Sequence, residues 1–143
     1  MQIEQCEITL AAKPRGFHLV TNEVMSQIPF LHKARVGQLN LFLKHSSASL
    51  SINENADSSV RTDMENFFTE LCDNKPYYMH TYEGDDDMPA HIKATMIGAS
   101  LSIPVTDGNA NLGTWQGIYL NEHRDQASSR KLVATLIFET KNN

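Results

Sequence analysis

Cysteine is scarce in this chain: Cys6 and Cys72 are the only two among 143 residues, and they form no CxxC pair. That excludes a disulfide-stapled scaffold and a paired-cysteine zinc fold, leaves both thiols as small packed hydrophobes, and favours a reducing compartment. Basic residues are outnumbered, with 12 Lys plus Arg against 17 Asp plus Glu and a formal net charge of -5. A general nucleic-acid binder needs a basic face and is argued against, although a local cationic pocket stays open. Long apolar runs are missing too. The opening MQIEQCEITL has no basic stretch leading into an apolar one, and no later segment reaches the ~20 apolar residues of a membrane helix. The expectation is therefore a cytoplasmic protein with neither nucleic acid nor membrane as partner. No H-E-x-x-H, no G-x-S-x-G elbow, no repeat and no linker occurs. What remains is an ordinary globular mixture, 41% hydrophobic and 20% charged. It reads as one domain over residues 1–143, long enough to bury a core unaided.

Period-2 alternation marks the strands. In QCEITL, Cys6, Ile8 and Leu10 alternate with Glu7 and Thr9. Leu39, Leu41, Leu43 and His45 share one parity, which predicts a strand whose buried face ends at His45. Ala48, Leu50 and Ile52 alternate with Ser49, Ser51 and Asn53, a register with one face of hydroxyls and an amide. LSIPVT reads as a strand with Pro104 at an edge or bulge, and DGNANLG as a turn. TWQGIYLNEH, with Trp115, Tyr119 and His123 in phase, and RKLVATLIFE close the set.

Three helices are predicted between them. Thr21 can cap one carrying Val24, Ile28 and Leu31 at helical spacing, and Asp57 caps one with Val60, Met64, Phe67, Phe68 and Leu71, ending near Cys72. A short third spans PAHIKATMIGA, with Pro89 and His91 in its first turn and an aspartate just upstream. Strands with interspersed helices but no regular βαβ alternation indicate an α+β fold, its sheets mixed and mostly antiparallel.

Three polar clusters could carry chemistry. His45, Ser46, Ser47, Asn53, Glu54 and Asn55 read either as a strand-end histidine with an asparagine-rich helix entry or as a site. Asp85, Asp86, Asp87 and His91 read either as a solvated helix entry or as a cation site, since three adjacent carboxylates repel unless a cation relieves them. Glu122, His123, Arg124, Ser128, Ser129, Arg130 and Lys131 read either as a hairpin end or as an anion site built on guanidinium and hydroxyl groups. A mixed histidine and carboxylate site would suit zinc or another transition metal, an all-carboxylate one magnesium.

The segments KHSSASLSINENADSSVRTDMENFF, YEGDDDMPAHIKATMIGASLSIPV and GTWQGIYLNEHR, with AAKPRGFHLVT upstream, run nearly end to end. In that order they resemble the YjbQ family, also named the secondary thiamine-phosphate synthase enzyme family. The resemblance implies a homotrimer of compact α+β domains, a polar pocket that collects the motif residues, and a weak ability to make thiamine phosphate. The family's motifs fall on His45, Ser46 and Ser47; on Asn53, Glu54 and Asn55; on Gly84, Asp85, Asp86 and His91; and on Gly113, Thr114, Trp115 and Gln116, followed by Glu122 and Arg130. Ser46 stands where threonine is frequent. Asp87 stands where many members have asparagine, which implies that its charge is dispensable. His123 stands where another branch has phenylalanine.

Residue chemistry and resemblance together yield a set of expectations. His45, Asp86, His91 and Glu54 are the expected catalytic groups. Ser47, Asn53, Asn55, Gln116 and Arg130 are the expected substrate-binding groups, with Arg130 holding the phosphate of a phosphorylated small molecule. A divalent metal is expected on His45, Asp86, His91 and His123 if it is zinc or another transition metal. Asp85 and Asp86 would hold magnesium if the reaction joins a pyrimidine methyl diphosphate to a thiazole phosphate. The alternative is a non-catalytic trimeric module that binds a metal ion or a phosphorylated metabolite. Asp86 is expected to face a pocket shared with His91.

Overall fold

The computed structural model describes residues 1–142. The apolar parity of each strand finds a partner face, producing two stacked sheets. Strands β1 (Gln2–Leu10), β3 (Ala34–Leu43), β5 (Ser100–Thr106), β6 (Asn109–Ala110) and β8 (Arg130–Thr140) make one, in the order β1-β8-β3-β5-β6. Strands β2 (Gly16–Leu19), β4 (Ala48–Glu54) and β7 (Gln116–Glu122) make the other, in the order β2-β7-β4. Every ladder is antiparallel, so the mixed sheet expected from sequence is antiparallel throughout.

The core lies between the sheets. Ile8, Leu39, Leu41, Ile103, Leu136 and Phe138 from the larger sheet meet Leu50, Ile118 and Leu120 from the smaller one, all buried. The opposite face of the smaller sheet carries Ser49, Tyr119, Asn121 and His123 and is covered by α2 (Ser58–Cys72) and α3 (Asp87–Ile97), with Phe17 stacked on Phe68 at 6.0 Å. No helix or sheet of the described residues covers the outer face of the larger sheet, where Ile3, Phe42 and Ile137 are exposed.

The helices follow their caps and breakers. Asp57 accepts a hydrogen bond from the Ser59 amide at 2.9 Å and starts α2 as expected. The expected helix through Leu31 stops early: α1 covers Thr21–Met25 only, and Leu31 falls in a separate 3-10 turn, Leu31–Lys33. Pro29 is the cause, because it removes the bond its N–H would make to Met25 and disfavours helical backbone at Ile28. Thr21 does not cap α1; its hydroxyl accepts from the Ile118 amide at 2.9 Å and ties α1 to β7. Helix α3 begins at Asp87, two residues before Pro89, and ends at Gly98, whose φ of 111° favours glycine.

Candidate functional site

Antiparallel pairing of β4 with β7 divides the expected site residues between two ends of one sheet. The register sets Ala48 opposite Glu122 and Glu54 opposite Gln116. His45, Ser47 and Arg130 gather at the first end and Asn53, Glu54, Asn55 and Gln116 at the second. Six strand residues at ~3.3 Å each put the ends about 20 Å apart within one chain.

At the second end the side chains hold the turn before β7. Asn55 donates to the Thr114 and Gln116 carbonyls at 3.1 and 3.0 Å, Gln116 accepts from the Gly113 amide at 2.8 Å, and Asn53 accepts from the Glu54 amide at 2.8 Å. Glu54 accepts weakly from the Asp57 amide at 3.3 Å, at the entry to α2. Its expected catalytic role beside His91 is not supported, because the strand length separates them. Asn55 and Gln116 do line a cavity of about 570 Å³ with Thr21, Asn22 and Glu23.

At the first end, Arg130 is committed. Its guanidinium meets the fully buried carboxylate of Glu122 twice, at 2.7 and 2.6 Å, and donates to the Ser47 hydroxyl at 3.0 Å. The expected phosphate holder is thus the cation of a buried ion pair. His45 accepts the Lys131 amide on Nε2 at 2.9 Å. Burial and the neighbouring Arg130 push its pKa down, so the ring is held neutral with its one lone pair occupied. It pins the start of β8 and has no lone pair left for a metal.

Asp86 and Asp87 exchange the roles expected of them. Asp86 Oδ2 accepts from Arg124 Nε and the Asp125 amide, each at 2.8 Å. Its burial favours the neutral acid, but these bonds outweigh that and hold its pKa below the ordinary carboxylate range. It therefore faces Arg124, not a pocket shared with His91. Asp87, the residue whose charge the resemblance marked as dispensable, is the buried one. Its Oδ1 accepts from Arg124 at 2.9 Å, its Oδ2 lies 2.8 Å from His80 Nε2, and His91 Nε2 lies 3.3 Å from Oδ1. The rings of His80 and His91 have centroids 5.2 Å apart.

His91 is oriented by its other nitrogen, Nδ1, which donates to the Ser46 carbonyl at 2.8 Å. His80 borders a cavity of about 350 Å³ that Lys75, Tyr78, Thr81, Asp85 and Met88 also line. Sequence reading missed His80 and undervalued Asp87. The readable signal was the spacing: Asp87 and His91 are four apart, one turn on one helix face, but a helix begun at Pro89 leaves Asp87 outside it.

His123 belongs to a different place. It is buried under the helices with Nε2 2.8 Å from the Ser49 hydroxyl, and burial pushes its pKa down to about 3. Near it the fully buried Lys93 ammonium sits 2.8 Å from Asp73, which Arg15 also reaches at 2.6 Å. The metal set of His45, Asp86, His91 and His123 is therefore not assembled. Among the described residues, His80, Asp87 and His91 are the histidine–carboxylate group with ligand atoms within 4.8 Å of one another. The expected magnesium pair of Asp85 and Asp86 fits no better, since Arg124 already neutralises Asp86.

A two-sheet sandwich with helices on one face and a His–Asp–His cluster at a helix start is the architecture to set beside known proteins. The chain belongs to the YjbQ family: the model described as UPF0047 protein YjbQ-like matches residues 6–139. It is 52% identical over 132 residues to the UPF0047 protein YjbQ of Escherichia coli O157:H7, covering 92% of this chain and 96% of that protein. An uncharacterised yjbq/upf0047 family protein from Clostridium acetobutylicum, solved by crystallography, superposes with a TM-score of 0.80 at 33% identity, covering 92% and 99% of the two chains. A hypothetical protein from Aeropyrum pernix K1 gives 0.82 at 28% identity, covering 95% and 99%.

Proposed function

We propose that this chain is an enzyme acting on a phosphorylated small molecule, with its reacting centre where α3 begins. The observation that carries the reading is the meeting of His80, Asp87 and His91 beside a cavity. Imidazoles and a buried carboxylate are the groups that acid–base and metal-assisted steps use. The imidazoles of His80 and His91 are the groups that would pass a proton, with Asp87 orienting the first ring and the Ser46 carbonyl the second. Lys75 on the cavity wall supplies positive charge for an anionic substrate. A divalent cation, when bound, would stabilise negative charge on a phosphate or diphosphate oxygen.

Weak thiamine-phosphate synthase activity, implied by the family resemblance, forms part of the proposal. The donor set favours a transition metal over magnesium, and supports a native reaction different from that synthesis. The exposed apolar side chains Ile3, Phe42 and Ile137 on the uncovered sheet support the homotrimer. Among the described residues no helix is long and apolar enough to cross a membrane, and we keep the cytoplasm as the proposed location. The second reading is a non-catalytic binding module; because Arg130, Asn55 and Gln116 are spent on internal bonds, its ligand too would be held at the His80, Asp87 and His91 cluster.

Turnover of the pyrimidine diphosphate with the thiazole phosphate, and of a panel of phosphate esters, should be compared between the native chain, His91→Ala and Asp87→Asn. Loss of ~100-fold or more in both variants is expected. Unchanged rates would overturn the assignment, and ligand binding with no turnover in the native chain would establish the binding module.

A further inference from the structure

We propose that His80, Asp87 and His91 bind one divalent transition-metal ion through the two Nε2 atoms and Oδ2 of the carboxylate. The inference rests on the reading of this cluster as the functional centre, and the hydrogen-bond pattern carries it. The Nδ1 hydrogen of His91 is spent on the Ser46 carbonyl, which can only accept. In the neutral ring Nε2 therefore presents a lone pair, and it does so 3.3 Å from Asp87 Oδ1 with no hydrogen bond between them. Arg124 already answers Oδ1, so His91 Nε2, His80 Nε2 and the second carboxylate oxygen are left grouped together as the donor set for a cation.

The surrounding bonds are those that fix metal ligands. Histidine ligands donate their second nitrogen to a backbone carbonyl, as His91 does, and ligating carboxylates are themselves hydrogen-bonded. Arg124 takes Asp87 Oδ1 at 2.9 Å and leaves Oδ2 to His80, 2.8 Å away. Tetrahedral ligands at ~2.1 Å from zinc stand about 3.4 Å from one another. His80 Nε2, 2.8 Å from Oδ2, reaches that spacing through a small swing of its half-exposed ring, and one ligand atom of each of the three residues lies within 4.8 Å of the others. Two imidazoles and one carboxylate suit zinc, iron or manganese, whereas magnesium and calcium prefer all-oxygen sites. Three protein ligands leave coordination open on the side of the cavity that His80 borders, which Thr81, Asp85 and Met88 line.

The untagged protein, purified without chelator or added metal, should be analysed for metal content, then stripped and titrated with cobalt(II) while its visible absorption is followed. One ion per chain and cobalt absorption of a nitrogen–oxygen site are expected. His80→Ala and His91→Gln should each weaken cobalt binding by about 100-fold or more, with circular dichroism unchanged, and His32→Ala should not. His80 lies on an exposed turn, so its variant tests the site even if a change at His91 disturbs α3. Absence of cobalt or zinc binding at millimolar metal, or full binding in His80→Ala, would overturn the proposal. Stoichiometric metal without turnover on any phosphate ester would uphold the site and defeat the enzyme reading. Turnover by a protein that takes up no metal would defeat the site and uphold the enzyme reading.

Discussion

Replacing Arg130 with methionine tests whether this residue serves structure or substrate. Glu122 is fully buried, and Arg130 meets it with two bonds at 2.7 and 2.6 Å while its own side chain is almost fully buried. Methionine keeps the apolar stem and removes the charge, leaving a carboxylate in the interior with only the Arg124 amide, at 3.2 Å, and water to serve it. Breaking one side of a buried pair costs about 3–5 kcal/mol. That is a large share of the ~5–15 kcal/mol that holds a domain folded. At about 3 °C per kcal/mol for a chain of this size, the melting temperature should fall by ~10–15 °C. Thermal unfolding followed by circular dichroism would measure it. The double variant Glu122→Leu with Arg130→Met should recover most of the loss, because apolar replacement of both partners leaves no orphaned charge. A single-variant loss below ~1 kcal/mol, with substrate affinity reduced, would show that Arg130 is free to hold phosphate and would refute the reasoning.

Three further outcomes are expected. His123 falls from an ordinary 6.5 to about 3 on burial, so below pH 6.5 the unfolded chain binds a proton that the folded chain refuses. Stability is retained above that pH and lost on acidification, by about 2 kcal/mol at pH 5, and His123→Phe should remove this part of the slope in urea titrations at both pH values. Asp57→Ala should cost ~1 kcal/mol by deleting the cap of α2, measured as a shift in the urea midpoint at constant slope. Asn55→Ala should destabilise by about 1–2 kcal/mol while metal content stays at the native level, since its amide staples the turn before β7; a loss of metal there would tie both ends of the sheet to one site.

The strands, their buried parities, α2 with its cap and the α+β class were legible because each depends on residues close together in the chain. Alternation puts Leu39, Leu41 and Leu43 on one face whatever they pack against, and Asp57 caps α2 using an amide two residues on. Pro29 was legible in principle as the end of α1, yet the spacing of Val24, Ile28 and Leu31 outweighed it. Long-range facts were not available in that form. Whether Arg130 was free depended on Glu122 being buried across from it, and whether Asp86 or Asp87 faced His91 depended on where α3 began and which oxygen Arg124 took. His80 entered the cluster from a turn outside any periodic element, so no local pattern announced it. Backbone preference and hydrophobic alternation act over a few residues and are written along the chain. Partnership among buried polar groups is a competition settled only once tertiary packing has removed water from all of them.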